Sequence, residues 1–446
     1  MALTRRALLA AMAAPRRPNI LLLLADNWAA PHASALGDPV VKTPVFDRLA
    51  REGVLFMHAF SPNPSCSPAR ASLLTGQETH RLRDAANLYG ALGSDFPTYP
   101  SLLRAAGYHV GYTGKGWGPG VAAGENPAGG VFPSFEKFLA ARSSGQPFCY
   151  WFGSRDPHVP WDQGRVADVS RIKVPGHLPD HPSVREDIAG YYAEVEQFDT
   201  SCGALLDLLR KSGELDNTLV VMTSDNGWQI PRGLAGCYDL GVRIPMAVRY
   251  PARLAAGTRR DDFVSLMDLM PTFLEAAGVA IPRGVTAKSL FGSTRRTAMF
   301  LERERHANVR LWDLSYPVRG IRTREYLYLW NIQPDRWPAG DPELYWAVGP
   351  YGDVDNSLSK QLLLKDKPAP YFDLVFGKRP EEELYDVRSD PDQVRNLAGD
   401  SKVTKELRAR VIRWMKETGD PRAAGPTDFW DKVVYTGAKA TGRRSF

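Results

Sequence analysis

Two apolar runs, far apart in the chain, restrict its possible folds more than any other feature. Pro18-Asn-Ile-Leu-Leu-Leu-Leu-Ala-Asp26-Asn27 is apolar almost throughout and ends in polar residues. Leu219-Val-Val-Met-Thr-Ser-Asp225-Asn226-Gly227 repeats the pattern much later. Runs without alternation predict strands buried on both faces, as in the middle of a parallel sheet. Between them the spacing predicts helices over 43–53, 99–107 and, at greater length, 184–212, with short strands at 108–112 and 148–153. Strands alternating with helices predict a doubly wound α/β fold, its central sheet mostly parallel and covered by helices on both faces.

From about Ser315 the texture changes. Residues 316–330 read as a hairpin, 331–380 as loops rich in Pro, Gly and Asp, 383–391 as a strand and turn, and 402–418 as an amphipathic helix. A small antiparallel sheet with one helix is expected there. The chain thus divides into a large α/β unit over 18–314 and a C-terminal unit over 315–446. Ahead of both, Arg5-Arg6 precedes a short apolar stretch and the small-x-small site Ala11-Met12-Ala13. This suits a twin-arginine export leader over 1–17 and a periplasmic or secreted protein; a disordered basic tail is the alternative reading.

The net charge of +6 suits an anionic substrate. Nucleic acid is not expected as a partner, because no zinc-finger spacing, aromatic RNA-binding motif or long basic block accompanies that charge. No apolar run reaches transmembrane length, so integral membrane association is not expected either. Four cysteines in 446 residues do not make a disulfide framework.

In open α/β sheets, ligands bind beyond the carboxyl ends of the strands. Asp26 with Asn27, and Asp225 with Asn226, end the two apolar runs. If those strands are neighbours, four oxygen-bearing side chains converge. Oxygen donors point to a hard cation, calcium or less readily magnesium, rather than zinc. One such pair alone reads as a turn signal; two pairs favour the metal.

Cys66-Ser-Pro-Ala-Arg-Ala-Ser-Leu-Leu-Thr-Gly76 carries the chemistry. Pro68 suits a first helical turn and Gly76 the residue past a helix end. Cys66 then heads a helix, where free N–H groups favour an anion, and Arg70 lies one turn on along the same face. The placement predicts a depressed thiol pKa. A lone cysteine is more often a small buried hydrophobe. A thiol phosphatase needs a longer loop between its Cys and Arg than the three residues here.

The full string resembles the type I sulfatase motif, Cys-x-Pro-x-Arg followed by Thr-Gly. The resemblance runs from about Pro18 to Asp420 and is closest to the heparan N-sulfatase (sulfamidase) branch of the alkaline phosphatase superfamily and its bacterial relatives. Supporting features are Asp-Pro-His158, Phe198-Asp199, Thr223-Ser-Asp-Asn-Gly227, Tyr316-Pro-Val-Arg319 and Glu383-Leu-Tyr-Asp386 with Asn396-Leu397. The resemblance implies that Cys66 is oxidised to formylglycine, whose hydrated aldehyde attacks sulfur, and that a formylglycine-generating maturation enzyme is a partner. It implies calcium on Asp26, Asn27, Asp225 and Asn226, with residue 66 completing the shell. It assigns Arg70, Lys115 (in Thr113-Gly-Lys115) and His158 to catalysis, and a sulfated, glycosaminoglycan-type sugar as substrate.

The sequence departs from that pattern at several places. The family's usual Asp-Asp is Asp26-Asn27 here, which removes a negative charge. Its Trp-His after the lysine is Gly116-Trp117. Arg155 stands at the first His of its His-x-Pro-His segment. Leu234 occupies the place of a sulfate-binding lysine, for which Arg232, two residues away, is the substitute candidate. His306, in Glu304-Arg305-His306, is the candidate for sugar contact, with a surface histidine as the alternative. Two further functions stay open: a phosphodiester or phosphonate monoester hydrolase of the same superfamily, and a sulfated-glycan binding protein without catalysis.

Overall fold

The computed structural model describes residues 16–436 except 123, 163, 167, 293–295, 344–348, 400, 425–427 and 434. The leader expected over 1–17 therefore lies outside the described residues, apart from Arg16 and Arg17. The central sheet runs in the order Thr258–Ser265, Val54–Phe60, Met246–Arg249, Thr218–Ser224, Asn19–Ala25, Phe148–Gly153, His109–Gly114, Gly130–Val131. Its pairings are parallel except those of Met246–Arg249 with its two neighbours and a short strand, Arg243–Ile244, beside Val54–Phe60.

The unbroken apolar run of the first strand has a direct cause. Leu21, Leu23 and Ala25 enter a core on one face, with Phe46, Tyr150 and the long helix Pro182–Lys211. Ile20, Leu22 and Leu24 enter a second core on the other, with Leu73, Leu74, Leu103 and Phe273. Successive side chains alternate between faces, and both faces are covered, so every position must be apolar.

The two apolar runs are neighbours. Asn19–Ala25 pairs in parallel with Thr218–Ser224, with Ala25 opposite Ser224. On its other side Leu24 faces Gly153, which in turn faces Gly114. Residues 26, 225, 154 and 115 therefore leave the sheet along one carboxyl edge.

The smaller sheet is antiparallel, in the order Ala298–Arg303, Val318–Thr323, Tyr326–Asn331, Glu382–Asp386. Helix Lys402–Thr418 covers one face with Leu407, Val411, Trp414 and Met415. The other face packs on Phe60, Tyr238 and Phe263 of the large unit. Its first strand lies upstream of 315, so the sheet takes in residues that the sequence assigned to the large unit. The expected loops at 331–380 also need correction, since they contain helices Leu358–Asp366 and Tyr371–Phe376. The first starts where Asp187, on the long helix, accepts the N–H groups of Leu358 (3.2 Å) and Ser359 (2.6 Å). Ser357 caps the same helix locally, accepting the Lys360 N–H at 3.1 Å, while the contribution of Asp187, from so far along the chain, leaves no local signal.

Candidate active site

Helix Cys66–Thr75 is buried along its whole length, and Gly76 ends it at φ 66° with its N–H on Ser72 O. Cys66 heads the helix, its Sγ 3.5 Å from Asp26 Oδ1 and 3.7 Å from Asn27 Oδ1. One turn on, Arg70 lies between two carboxylates. Its Nε donates to Asp225 Oδ2 at 2.8 Å and its Nη2 to Asp26 Oδ1 at 3.3 Å. Its Nη1 donates to the carbonyls of Lys115 (3.0 Å) and Gly116 (2.8 Å). Asp225 Oδ1 accepts the backbone N–H groups of Asn27 (3.0 Å) and Asn226 (2.8 Å), and Asn226 Nδ2 donates to Asn27 Oδ1 at 2.6 Å. Asn27 sits at φ 78°, a left-handed conformation that Asn adopts more readily than most residues.

Lys115 reaches the same cluster from the next strand end but one. Its Nζ donates to Asp26 Oδ1 at 2.8 Å and Oδ2 at 2.6 Å. Gly114 makes the approach possible. It has φ 78°, and a Cβ there would lie 2.1 Å from Gly153 O. Lys115, Arg155, His158 and Trp117 line an open cleft of about 790 Å³ above Asp26. Arg155 is exposed at its edge.

His158 is held by a residue that the sequence reading did not single out. Its Nδ1 lies 2.7 Å from Val159 O and its Nε2 3.1 Å from Gln229 Nε2. Gln229 Oε1 accepts Val159 N–H at 2.7 Å, while Gln229 Nε2 donates to Asp355 Oδ2 at 2.5 Å. A backbone N–H can only donate, and a carboxylate here accepts, so the amide orientation follows from its neighbours. His158 then donates from Nδ1 to a carbonyl and accepts at Nε2.

His306 and Arg232 take different places from each other. His306 is buried, with Nδ1 2.9 Å from Ser65 Oγ, the residue ahead of Cys66. Arg232 is not brought to the cluster. Its guanidinium lies 4.0 Å over the Tyr238 ring, with Nη2 3.3 Å from Tyr385 OH. The Leu234 position thus gains no cation from it.

The electrostatics overturn one expectation. Burial, reinforced by Asp26 and Asp225, pushes the Cys66 thiol well above its usual range despite Lys115 and Arg70. Desolvation outweighs the two cations beside it, so the thiol is not made acidic. Burial also raises the Asp225 carboxyl, against Arg70. Asp26 goes the other way: burial would raise it, but Lys115 and Arg70 together hold it below the usual carboxylate range.

The donor set fits a hard cation. Ligand atoms of Asp26, Cys66 and Asp225 lie within 4.8 Å of one another. Asn226 Oδ1 is buried without a hydrogen-bond partner, a costly condition that a cation relieves. Asp26, Asn27, Asp225 and Asn226 would supply the oxygens.

The Sulfatase family profile matches residues 18–119 and 128–279, more than half of the chain. The chain belongs to the sulfatase family. Across residues 235–336 this sulfatase also matches the profile "N-sulphoglucosamine sulphohydrolase, C-terminal". It is 28% identical to human N-sulphoglucosamine sulphohydrolase over 92% of both chains. It is 30% identical to dog N-acetylgalactosamine-6-sulfatase over 61% of this chain and 65% of that one. The solved structure of BT4656 in complex with its substrate D-glucosamine-2-N,6-O-disulfate shares its fold, with TM-score 0.66 and 20% identity over 94% of this chain and 100% of that one. So does the phosphonate monoester hydrolase of Agrobacterium radiobacter, with TM-score 0.64 and 18% identity over 90% and 96%. Among the described residues, no helix of the sulfatase is long and apolar enough to cross a membrane.

Proposed function

We propose that this sulfatase hydrolyses sulfate-ester or N-sulfate groups on a glycosaminoglycan-type sugar. The observation that carries the reading is Cys66 Sγ at the head of a buried helix, 3.5 Å from Asp26 Oδ1, with Arg70 joining Asp26 to Asp225. The names of its relatives support the substrate class, since one is an N-sulphoglucosamine sulphohydrolase. Formylglycine at position 66, made by a maturation enzyme, and calcium on Asp26, Asn27, Asp225 and Asn226 would together supply the activated nucleophile. Calcium is preferred to magnesium because the four side chains make a many-oxygen cage rather than a partly hydrated site.

The chain's own residues do the rest. Arg70 is fully buried and directs its N–H groups to protein acceptors, so it holds the two carboxylates and residue 66 in register rather than touching substrate. Lys115 faces the cleft and, with Arg155 at the rim, meets the anionic sulfate. His158, set by Gln229, orients the group being cleaved. His306 fixes Ser65, and through it the start of the helix that presents residue 66. The twin-arginine leader would export the protein to the periplasm or beyond.

The deciding experiment is a panel of N- and O-sulfated mono- and disaccharides, an aryl sulfate and an aryl phosphodiester, using protein from a host that matures sulfatases. Sulfate release from at least one sugar is expected, faster than phosphodiester cleavage. Release from none, with formylglycine present by mass, would overturn the reading.

A further inference from the structure

Beyond Asp225-Asn226, residues 232–238 meet the small antiparallel sheet, and a partly open cavity of about 40 Å³ lies between them. At roughly 10–15 Å³ of such space per water, it holds a few waters or one small ion. Three guanidinium groups line it, Arg232, Arg303 and Arg379, with two carboxylates, Asp353 and Glu383.

Both carboxylates already have partners. Asp353 Oδ2 accepts from Arg303 Nη2 and, at 2.6 Å, from Arg310 Nη2, while its Oδ1 accepts Ala307 N–H at 3.0 Å. Glu383 accepts from Tyr238 OH (2.8 Å), Tyr385 OH (2.5 Å) and Asn331 Nδ2 (2.7 Å). Among the described residues, Arg232 meets only neutral acceptors, Tyr385 OH at 3.3 Å and Asp392 O at 3.4 Å. Arg379 donates to the carbonyls of residues 373–375. Positive charge is therefore in surplus around this void, and a buried charge without a counter-charge is expensive.

A second observation is independent of that count. Arg232 Nε, Arg303 Nε and Tyr316 OH are buried without a hydrogen-bond partner, and all three residues line the cavity. Arg232 is 6% exposed, Arg303 3% and Tyr316 2%. Native structures rarely leave so many buried donors unmatched around one space. The void has donors and positive charge and lacks an acceptor.

We infer that this cavity binds one small inorganic anion, a halide or a tetrahedral oxyanion, on Arg232, Arg303 and Tyr316. Its lining shares no residue with the cleft above Asp26. Arg303 Nη1 donates to Ala235 O, and Ala235 N–H donates to Pro64 O at 2.8 Å, next to Ser65 and the start of the Cys66 helix. Occupancy therefore braces the turn that presents residue 66.

Crystals grown in sodium bromide should show an anomalous peak within hydrogen-bond distance of Arg232 Nε and Arg303 Nε. Crystals grown in sulfate without halide should show whether an oxyanion takes the same place. In solution, the melting temperature should rise saturably with bromide relative to gluconate at matched ionic strength. Arg232→Met should abolish that rise. Tyr316→Phe, which removes one donor and little volume, should weaken the midpoint by about tenfold, the effect of one modest hydrogen bond. Water alone in the cavity, bromide confined to the Asp26–Lys115 cleft, or identical melts in bromide and gluconate would overturn the inference.

Discussion

The two regions that surround residue 66 are built differently. On the sheet side, Asp26, Asn27, Lys115, Asp225 and Asn226 each follow a strand end, and the parallel register of neighbouring strands brings them together. On the loop side, Gln229, His306, Asp353 and Asp355 lie in irregular chain tied down by buried ion pairs between distant segments. Arg303 and Arg310 converge on Asp353, Arg319 and Arg422 on Glu304, and Arg319 also meets Asp420 at 2.5 Å. Backbone hydrogen bonding places the chemical groups on the first side, so exchanging one side chain leaves the others where they were. Charge compensation places the second, so removing one member leaves a buried charge unpaired.

Cys66→Ala breaks the comparison at its most sensitive point. Activity should fall by on the order of 10³-fold or more, as for loss of a covalent nucleophile. Stability should move by less than about 1.5 kcal/mol, because little core volume is lost, as urea unfolding will show. Asp353→Ala tests the loop side and should do the reverse. Leaving Arg303 and Arg310 buried without their carboxylate should cost about 3–5 kcal/mol in the same unfolding experiment. A loss below 1 kcal/mol would show that water already compensates them.

Lys115→Met returns to the sheet side. Asp26 keeps Arg70, so the melting temperature should change little, while kcat/KM falls by about 10²–10³-fold, as for loss of a charged group facing the reacting centre. Gln229→Leu sharpens the boundary between the sides. It removes the amide that positions His158 and should lower kcat by about tenfold, a modest loss for a misplaced group at the reacting centre, with the melting temperature little changed. An unchanged kcat would mean that Gln229 only packs.

The smallest effect concerns the seam between the two sheets. His80 Nδ1 lies 2.7 Å from Glu302 and 4.0 Å from Asp420. Burial works to lower its pKa, but these carboxylates raise it above the ordinary 6.5. A group bound more tightly to its proton in the folded state stabilises fully below its unfolded pKa, and that contribution is lost as pH rises through the folded value. Urea midpoints should therefore decline from about pH 6.5 upward, and His80→Gln should flatten that slope.

Much of this was legible in the sequence wherever the signal is set by chain neighbours. An unbroken apolar run means a strand covered on both faces, so both core strands and their polar ends could be read directly. Helix punctuation around Cys66-Ser-Pro-Ala-Arg70 placed residue 66 at a helix start with Arg70 on the same face. The hairpin at 316–330 and the amphipathic helix at 402–418 also carried their own periodicity. Tertiary structure alone decided the rest. The thiol of Cys66 is held high because burial exceeds the pull of Lys115 and Arg70, and burial is a property of everything packed around it. Arg232 points to Tyr238 and Tyr385 rather than to the sulfate cleft, and Gln229 reaches both His158 and Asp355, because packing between remote segments directs them. Helix Leu358–Asp366 has its own Ser357 cap, but its first two N–H groups are met by Asp187 of another helix. Local patterns encode secondary structure and spacing; desolvation and long-range charge pairing depend on the assembled fold.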